Sequence, residues 1–268
     1  QKTIVDDKGI IYYDYINRHS GKTWHNGPFN GCNLGIGAGI DSIESEGVKQ
    51  NLLSSKVPVL LTGWVKGSLE FSTEIFSVAP ALKTDAHDSC ELSKGYRGLP
   101  HNDVMIIRLR NTGKSDTNVN PAVFVKSSYA LSVPLDRRTI NAEGRIQIVL
   151  PPIASVDEKV EGNKRTYTYR FGKITIPSGK DTALALSFNI GEKAQSLKLT
   201  VREAYALRDK AAAYWHSYPF PYEAIVVPDS NIQNLLHSCI RNIYQAREIK
   251  NGLPAFQVGP TCYRGLWI

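Results

Sequence analysis

The chain has 268 residues, 42% of them hydrophobic and 21% charged, a balance that belongs to globular proteins and excludes intrinsic disorder. No apolar run approaches the roughly 20 residues a membrane-spanning helix requires, so no membrane span is expected. The net charge of +7 would suit a nucleic-acid partner only if the cations were clustered. They are scattered among acidic residues with short pairs at Arg137-Arg138 and Lys164-Arg165, so no nucleic-acid partner is expected.

Up to about residue 200 the chain reads as β. Residues Ile10 to Ile16 are rich in the β-branched and aromatic side chains that strands prefer. Val57 to Val65 and Leu69 to Val78 form two further runs around Lys66-Gly67-Ser68, a break that predicts a hairpin. Val104 to Arg110 follows, then the turn cluster Asn111 to Asp116, then the run Ala122 to Val133. The clearest periodicity comes later. Tyr167, Tyr169 and Phe171 alternate with polar residues, as do Leu184, Leu186, Phe188 and Ile190, with Pro177 to Lys180 as the turn before the second set. Alternation of period two predicts antiparallel sheets with one wet face. The fold class expected is mainly β: a large antiparallel β-sandwich followed by two linker helices.

Near residue 200 the pattern changes. Ala204, Leu207, Ala211 and Tyr214 or Trp215 fall at helical spacing between Glu203 and His216. Pro219 and Pro221 then break the helix. Pro228-Asp229-Ser230 offers an N-cap to a second helix carrying Ile232, Leu235, Leu236, Cys239, Ile240, Ile243 and Tyr244, ending near Lys250 to Gly252. Cys239 reads as a small buried hydrophobe on that apolar face.

Several motifs point to no chemistry. Cys32, Cys90, Cys239 and Cys262 contain no CxxC pair, which argues against structural zinc. His87, Cys90 and His101 could be drawn as a metal site, but beyond the near pair His87 and Cys90 the remaining ligands are not evident. Gly35-Ile36-Gly37-Ala38-Gly39 fails the dinucleotide spacing and reads as a glycine-rich turn or bulge, or else as a loop that joins Trp24, His25 and Asn26 near a binding site. No GxSxG elbow is present. No catalytic residue, cofactor or metal is assigned.

The C-terminal phrases carry a resemblance. Ala212-Ala213-Tyr214-Trp215, Val227-Pro228-Asp229 opening a helix, Gly259-Pro260, and Tyr263-Arg264-Gly265-Leu266-Trp267 occur in that order. This order resembles the N-terminal half of the six-hairpin glycosidases, which include bacterial glucoamylases, α-L-rhamnosidases and sugar phosphorylases. The resemblance implies a supersandwich domain over residues 1–200. Residues 201–268 would then form a helical linker and the first segment of an (α/α)6 catalytic barrel. Chain ends at Gln1 and at Leu266-Trp267-Ile268 lead to the expectation of a piece of a larger protein, cut at the start of that barrel. Glycoside hydrolysis needs two carboxylates roughly 5–10 Å apart, and the family supplies them from the barrel. Tyr263, Arg264 and Trp267 are the candidate substrate-binding residues, since aromatic rings stack on pyranoses and arginine donates paired hydrogen bonds. Packing against the barrel is the plain structural role for the same three.

The function expected is that of a non-catalytic N-terminal part of a glycoside hydrolase, with a carbohydrate substrate and the barrel as partners. A free-standing carbohydrate-binding sandwich is the alternative, and an enzyme with an unfamiliar site in the sandwich remains open. The resemblance also implies a periplasmic or extracellular location.

Overall fold

The computed structural model of the chain describes residues 4–15, 28–29, 32–41, 43, 45–78, 102–132, 136–142, 146–190, 197–220, 224–246, 248–250 and 253–255. In chain order the first strands are β1 (Ile4–Val5), β2 (Ile11–Tyr15), β3 (Cys32–Ile40), β4 (Lys49–Leu52), β5 (Leu60–Lys66) and β6 (Leu69–Val78). Next come β7 (Asn102–Asn111), β8 (Thr117–Val119), β9 (Pro121–Ser127), β10 (Thr139–Ala142), β11 (Ile146–Val149) and β12 (Ser155–Glu161). Then follow β13 (Lys164–Arg170), β14 (Ile174–Ile176), β15 (Asp181–Ile190), helices α1 (Val201–Ser217) and α2 (Ser230–Ala246), and a terminal pair β16 (Glu248–Lys250) and β17 (Leu253–Ala255). The protein is thus mainly β, with a sandwich followed by two helices.

One sheet runs β1-β2-β3-β9-β13-β12 and the other β10-β11-β15-β7-β6-β5-β4. Every strand pair is antiparallel. The predicted hairpin forms, with Lys66 paired to Leu69 and Gly67 at φ 61°, a backbone state that glycine adopts without steric cost. The run expected over Ala122 to Val133 is strand only as far as Ser127. The expected glycine turn at residues 35–39 is instead the middle of β3. Leu34, Ile36 and Ile40 face the core from it, so the glycines line its other face. The second helix stops at Ala246 rather than near Lys250, and Lys250 of β16 pairs with Leu253 of β17.

Strand β7 explains the layering. Met105, Ile107 and Leu109 point into the sandwich against Leu34, Val123, Tyr169 and Phe188. Val104 and Ile106 point the other way, against Val57, Val59, Phe76 and Ala204 of α1. A strand apolar on both faces must be covered on both, at roughly 1.5–3 kcal/mol per large side chain buried. Helix α1 is the second cover. It starts at a capping box in which Thr200 Oγ1 accepts from Glu203 N at 3.2 Å and Thr200 N donates to Glu203 Oε2 at 2.8 Å. Arg208 ties the helix to the sheet through Glu74 at 2.9 Å and lies 4.8 Å from the Tyr205 ring centroid.

Two core tyrosines differ in how their hydroxyls are met. Tyr13 Oη donates to Asp103 Oδ2 at 2.8 Å across the two sheets, and Ser77 Oγ donates to Asp103 Oδ1. The Tyr169 hydroxyl is buried with no partner among the described residues. We expect Tyr169→Phe to be neutral or stabilising in chemical denaturation, and Tyr13→Phe to cost about 1–3 kcal/mol. Equal losses from both would contradict this assignment.

Burial pushes the phenols of Tyr13 and Tyr169 up, and burial with the Asp6 hydrogen bond pushes Tyr12 up to about 12. An unfolded tyrosine ionises near pH 10 (about 10). Above that point the folded state holds protons that the unfolded state has released. Stability therefore falls as pH rises through the window between the unfolded and folded values. A spectrophotometric titration should show some tyrosines ionising only as the fold is lost. Ionisation of all 13 tyrosines with the circular dichroism unchanged would refute it.

Candidate functional site

Helix α2 begins at the predicted cap. Asp229 Oδ1 accepts from Asn231 N at 2.7 Å and Ile232 N at 3.2 Å, filling donors that a helix start leaves unmet. The helix is held on two of its sides. On one side three polar residues converge on Ser55: Asn234 Oδ1 accepts from Ser55 Oγ at 3.1 Å, Ser238 Oγ donates to Ser55 O at 3.3 Å, and Arg241 Nη1 donates to the same carbonyl at 2.7 Å.

Arg241 is 4% exposed, and its Nε has no partner among the described residues. Burial pushes its guanidinium below the usual arginine range, although an arginine stays charged.

On the second side the helix meets the segment joining it to α1. Trp215, Tyr218, Phe220 and Tyr244 form a ring cluster, with Phe220 5.1 Å from Tyr218, 5.3 Å from Tyr244 and 6.2 Å from Trp215. These edge and offset contacts are those aromatic pairs favour. Gln233 closes the same side, accepting from Val227 N at 2.7 Å and donating to Ile225 O at 3.2 Å. Ile240 is buried here. Helix α1 ends just before Tyr218, whose extended backbone (φ −67°, ψ 121°) is the conformation that a following proline favours, and the ring cluster joins the two helices beyond it.

The third side is open. Ile232 is 54% exposed, Leu235 63% and Ile243 52%, and Cys239 between them is exposed as well. Steps of three and four put these residues on one stripe. Cys239 is thus not the buried hydrophobe that its periodicity predicts. The stripe is apolar as expected, but the side that the sandwich covers is the polar one built on Ser55 and Arg241. Sequence periodicity had no signal for that seat, since Asn234, Ser238 and Arg241 read as an ordinary wet face. Val226, 82% exposed, and Ile225, 47% exposed, add apolar surface just before the helix.

The remaining candidates fall elsewhere. Tyr263, Arg264 and Trp267 lie outside the described residues, as do Trp24, His25, Asn26, His87, Cys90 and His101. Among the described residues no three His, Cys, Asp or Glu side chains gather as a metal would require, and no helix is long and apolar enough to cross a membrane.

Neither a protein-family model nor a curated protein matches this chain. Among solved structures, a human-microbiome chain assigned as a kojibiose phosphorylase is similar at 11% identity and a TM-score of 0.40, over 79% of this chain and 31% of that one. The chain thus spans about a third of that neighbour's length.

The outward stripe and the ring cluster make opposite predictions for stability. Leu235→Ser should change the unfolding free energy by less than about 0.5 kcal/mol, because the side chain is already in water. Phe220→Ala should cost about 3 kcal/mol. Chemical denaturation of both variants checks the ranking, and a costly Leu235→Ser would mean the stripe is covered.

Proposed function

We propose that this chain is the non-catalytic N-terminal part of a carbohydrate-active enzyme of the glycoside hydrolase kind. Residues 1–200 are its sandwich domain, and residues 201–268 are the linker into an (α/α)6 barrel. The observation that carries the reading is the open stripe Ile232-Leu235-Cys239-Ile243 on a helix otherwise fixed to the sandwich. An apolar helical stripe facing water marks an interaction surface. The order of C-terminal phrases supports a barrel as its occupant. Tyr263, Arg264 and Trp267 are then the residues this chain lends to the sugar site, by stacking and by paired hydrogen bonds. The catalytic carboxylates belong to the barrel. An exported enzyme, acting in the periplasm or outside the cell, is part of the same proposal.

Reading the open reading frame past Ile268 tests it directly. A helical-hairpin pattern opening with an Asp shortly after Trp267 is the expected result, and a stop codon directly after Ile268 would overturn the proposal. In the longer protein, Leu235→Glu with Ile243→Glu should loosen the sandwich–barrel contact. Limited proteolysis would then cut the linker at least about tenfold faster, as a loss of some 1.4 kcal/mol implies. An unchanged cleavage rate would place the barrel contact elsewhere.

A further inference from the structure

The outer face of the β1–β12 sheet has a different character from its partner's. Helix α1 covers the outer face of the β7 sheet, whereas among the described residues no helix packs on this one. On β3 the outward positions are Gly35, Gly37 and Gly39. A Cβ on Gly39 would meet Phe124 Cε2 at 3.0 Å, and one on Gly35 would meet Tyr12 Cε1 at 3.0 Å. The glycines thus form a floor over which two aromatic rings reach. Phe124 pairs with Gly37 on one side and Thr168 on the other, and Lys126 pairs with Gly35 and Thr166. Directly opposed side chains of this kind stand about 4.5–5.5 Å apart at Cβ. All four of Phe124, Lys126, Thr166 and Thr168 are half-buried.

Charge distinguishes this patch. At its border Arg170 is held by Asp41 at 2.7 Å and by Asp157 at 2.5 Å, and Lys159 by Glu161 at 2.6 Å. The Lys126 ammonium has no such partner among the described residues, and the Thr166 and Thr168 hydroxyls make no hydrogen bond there. A ring, a free cation and two free hydroxyls therefore share one sheet face in a chain of net charge +7.

We infer that this face binds an acidic saccharide, one carrying a carboxylate or a sulfate ester. The Phe124 ring contacts the apolar face of a pyranose. Lys126 donates charge-assisted hydrogen bonds to the anion, and the two threonines bond to ring hydroxyls. The inference stands apart from the barrel reading, because the patch lies on the sheet that α1 does not cover.

Calorimetric titration of the 268-residue chain with oligogalacturonate, and with maltohexaose as a neutral control, tests it. Binding of oligogalacturonate alone is expected, weakened by added salt. Lys126→Ala should reduce it roughly tenfold or more. Phe124→Leu, which keeps an apolar group over Gly39, should also reduce it, and Leu235→Glu should leave it unchanged. Circular dichroism melts of each variant separate lost binding from lost fold. No binding of oligogalacturonate, equal binding of maltohexaose, or binding indifferent to Lys126→Ala in a folded variant would each overturn the inference.

Discussion

Strand β7 cannot be satisfied by a two-sheet sandwich alone. Its consecutive residues Val104, Met105, Ile106 and Ile107 are all buried, and successive side chains on a strand point to opposite sides. Half of them complete the space between the sheets. The other half demand a further layer, and Ala204, Tyr205 and Leu207 of α1 provide it. The helices are therefore part of the sandwich's own stability rather than an appendage to it. Helix α2 depends on α1 in turn, through the rings around Phe220, and so the position of its open stripe is fixed by the burial of β7.

This chain of dependence also explains the contrast between the two helices. The contact of α1 is apolar, with the Glu74–Arg208 pair at its border. The seat of α2 on the sandwich is polar and centres on one residue, Ser55. Burying Arg241 with the Ser55 carbonyl and the side-chain oxygen of Asn242 as acceptors, and with Nε unmet among the described residues, is a costly arrangement. It orients the helix while leaving its apolar stripe uncovered, a combination suited to presenting a surface.

Much of the architecture was legible because its signals are periodic. The alternation in Tyr167 to Phe171 and in Leu184 to Ile190 predicts antiparallel strands, and both helices are visible from three- and four-residue spacing. Residues 35–39 read as a turn in the sequence because glycine carries no hydropathy of its own. The alternation of Leu34, Ile36, Ala38 and Ile40 was present, but the glycines between them suggested a turn. Cys239 departs from its expected burial for another reason: periodicity identifies an apolar stripe without saying what covers it. The Ser55 seat has no signal in the sequence because it joins residues 183 and 186 positions apart through a backbone carbonyl. Phe124 and Lys126 alternate within a strand, and nothing in that pattern reveals the glycine floor beside them.

The edge of the first sheet has a consequence for how this protein can grow. Every residue of β12 is exposed, and four of its seven are Asp157, Glu158, Lys159 and Glu161. A charged, fully wet edge discourages the addition of another strand, whether from a second copy or from a neighbouring domain. At the opposite edge, β1 comprises Ile4 and Val5 among the described residues. The β12 margin is thus closed to the hydrogen-bonding ladder, and a larger assembly would meet this edge through its side chains.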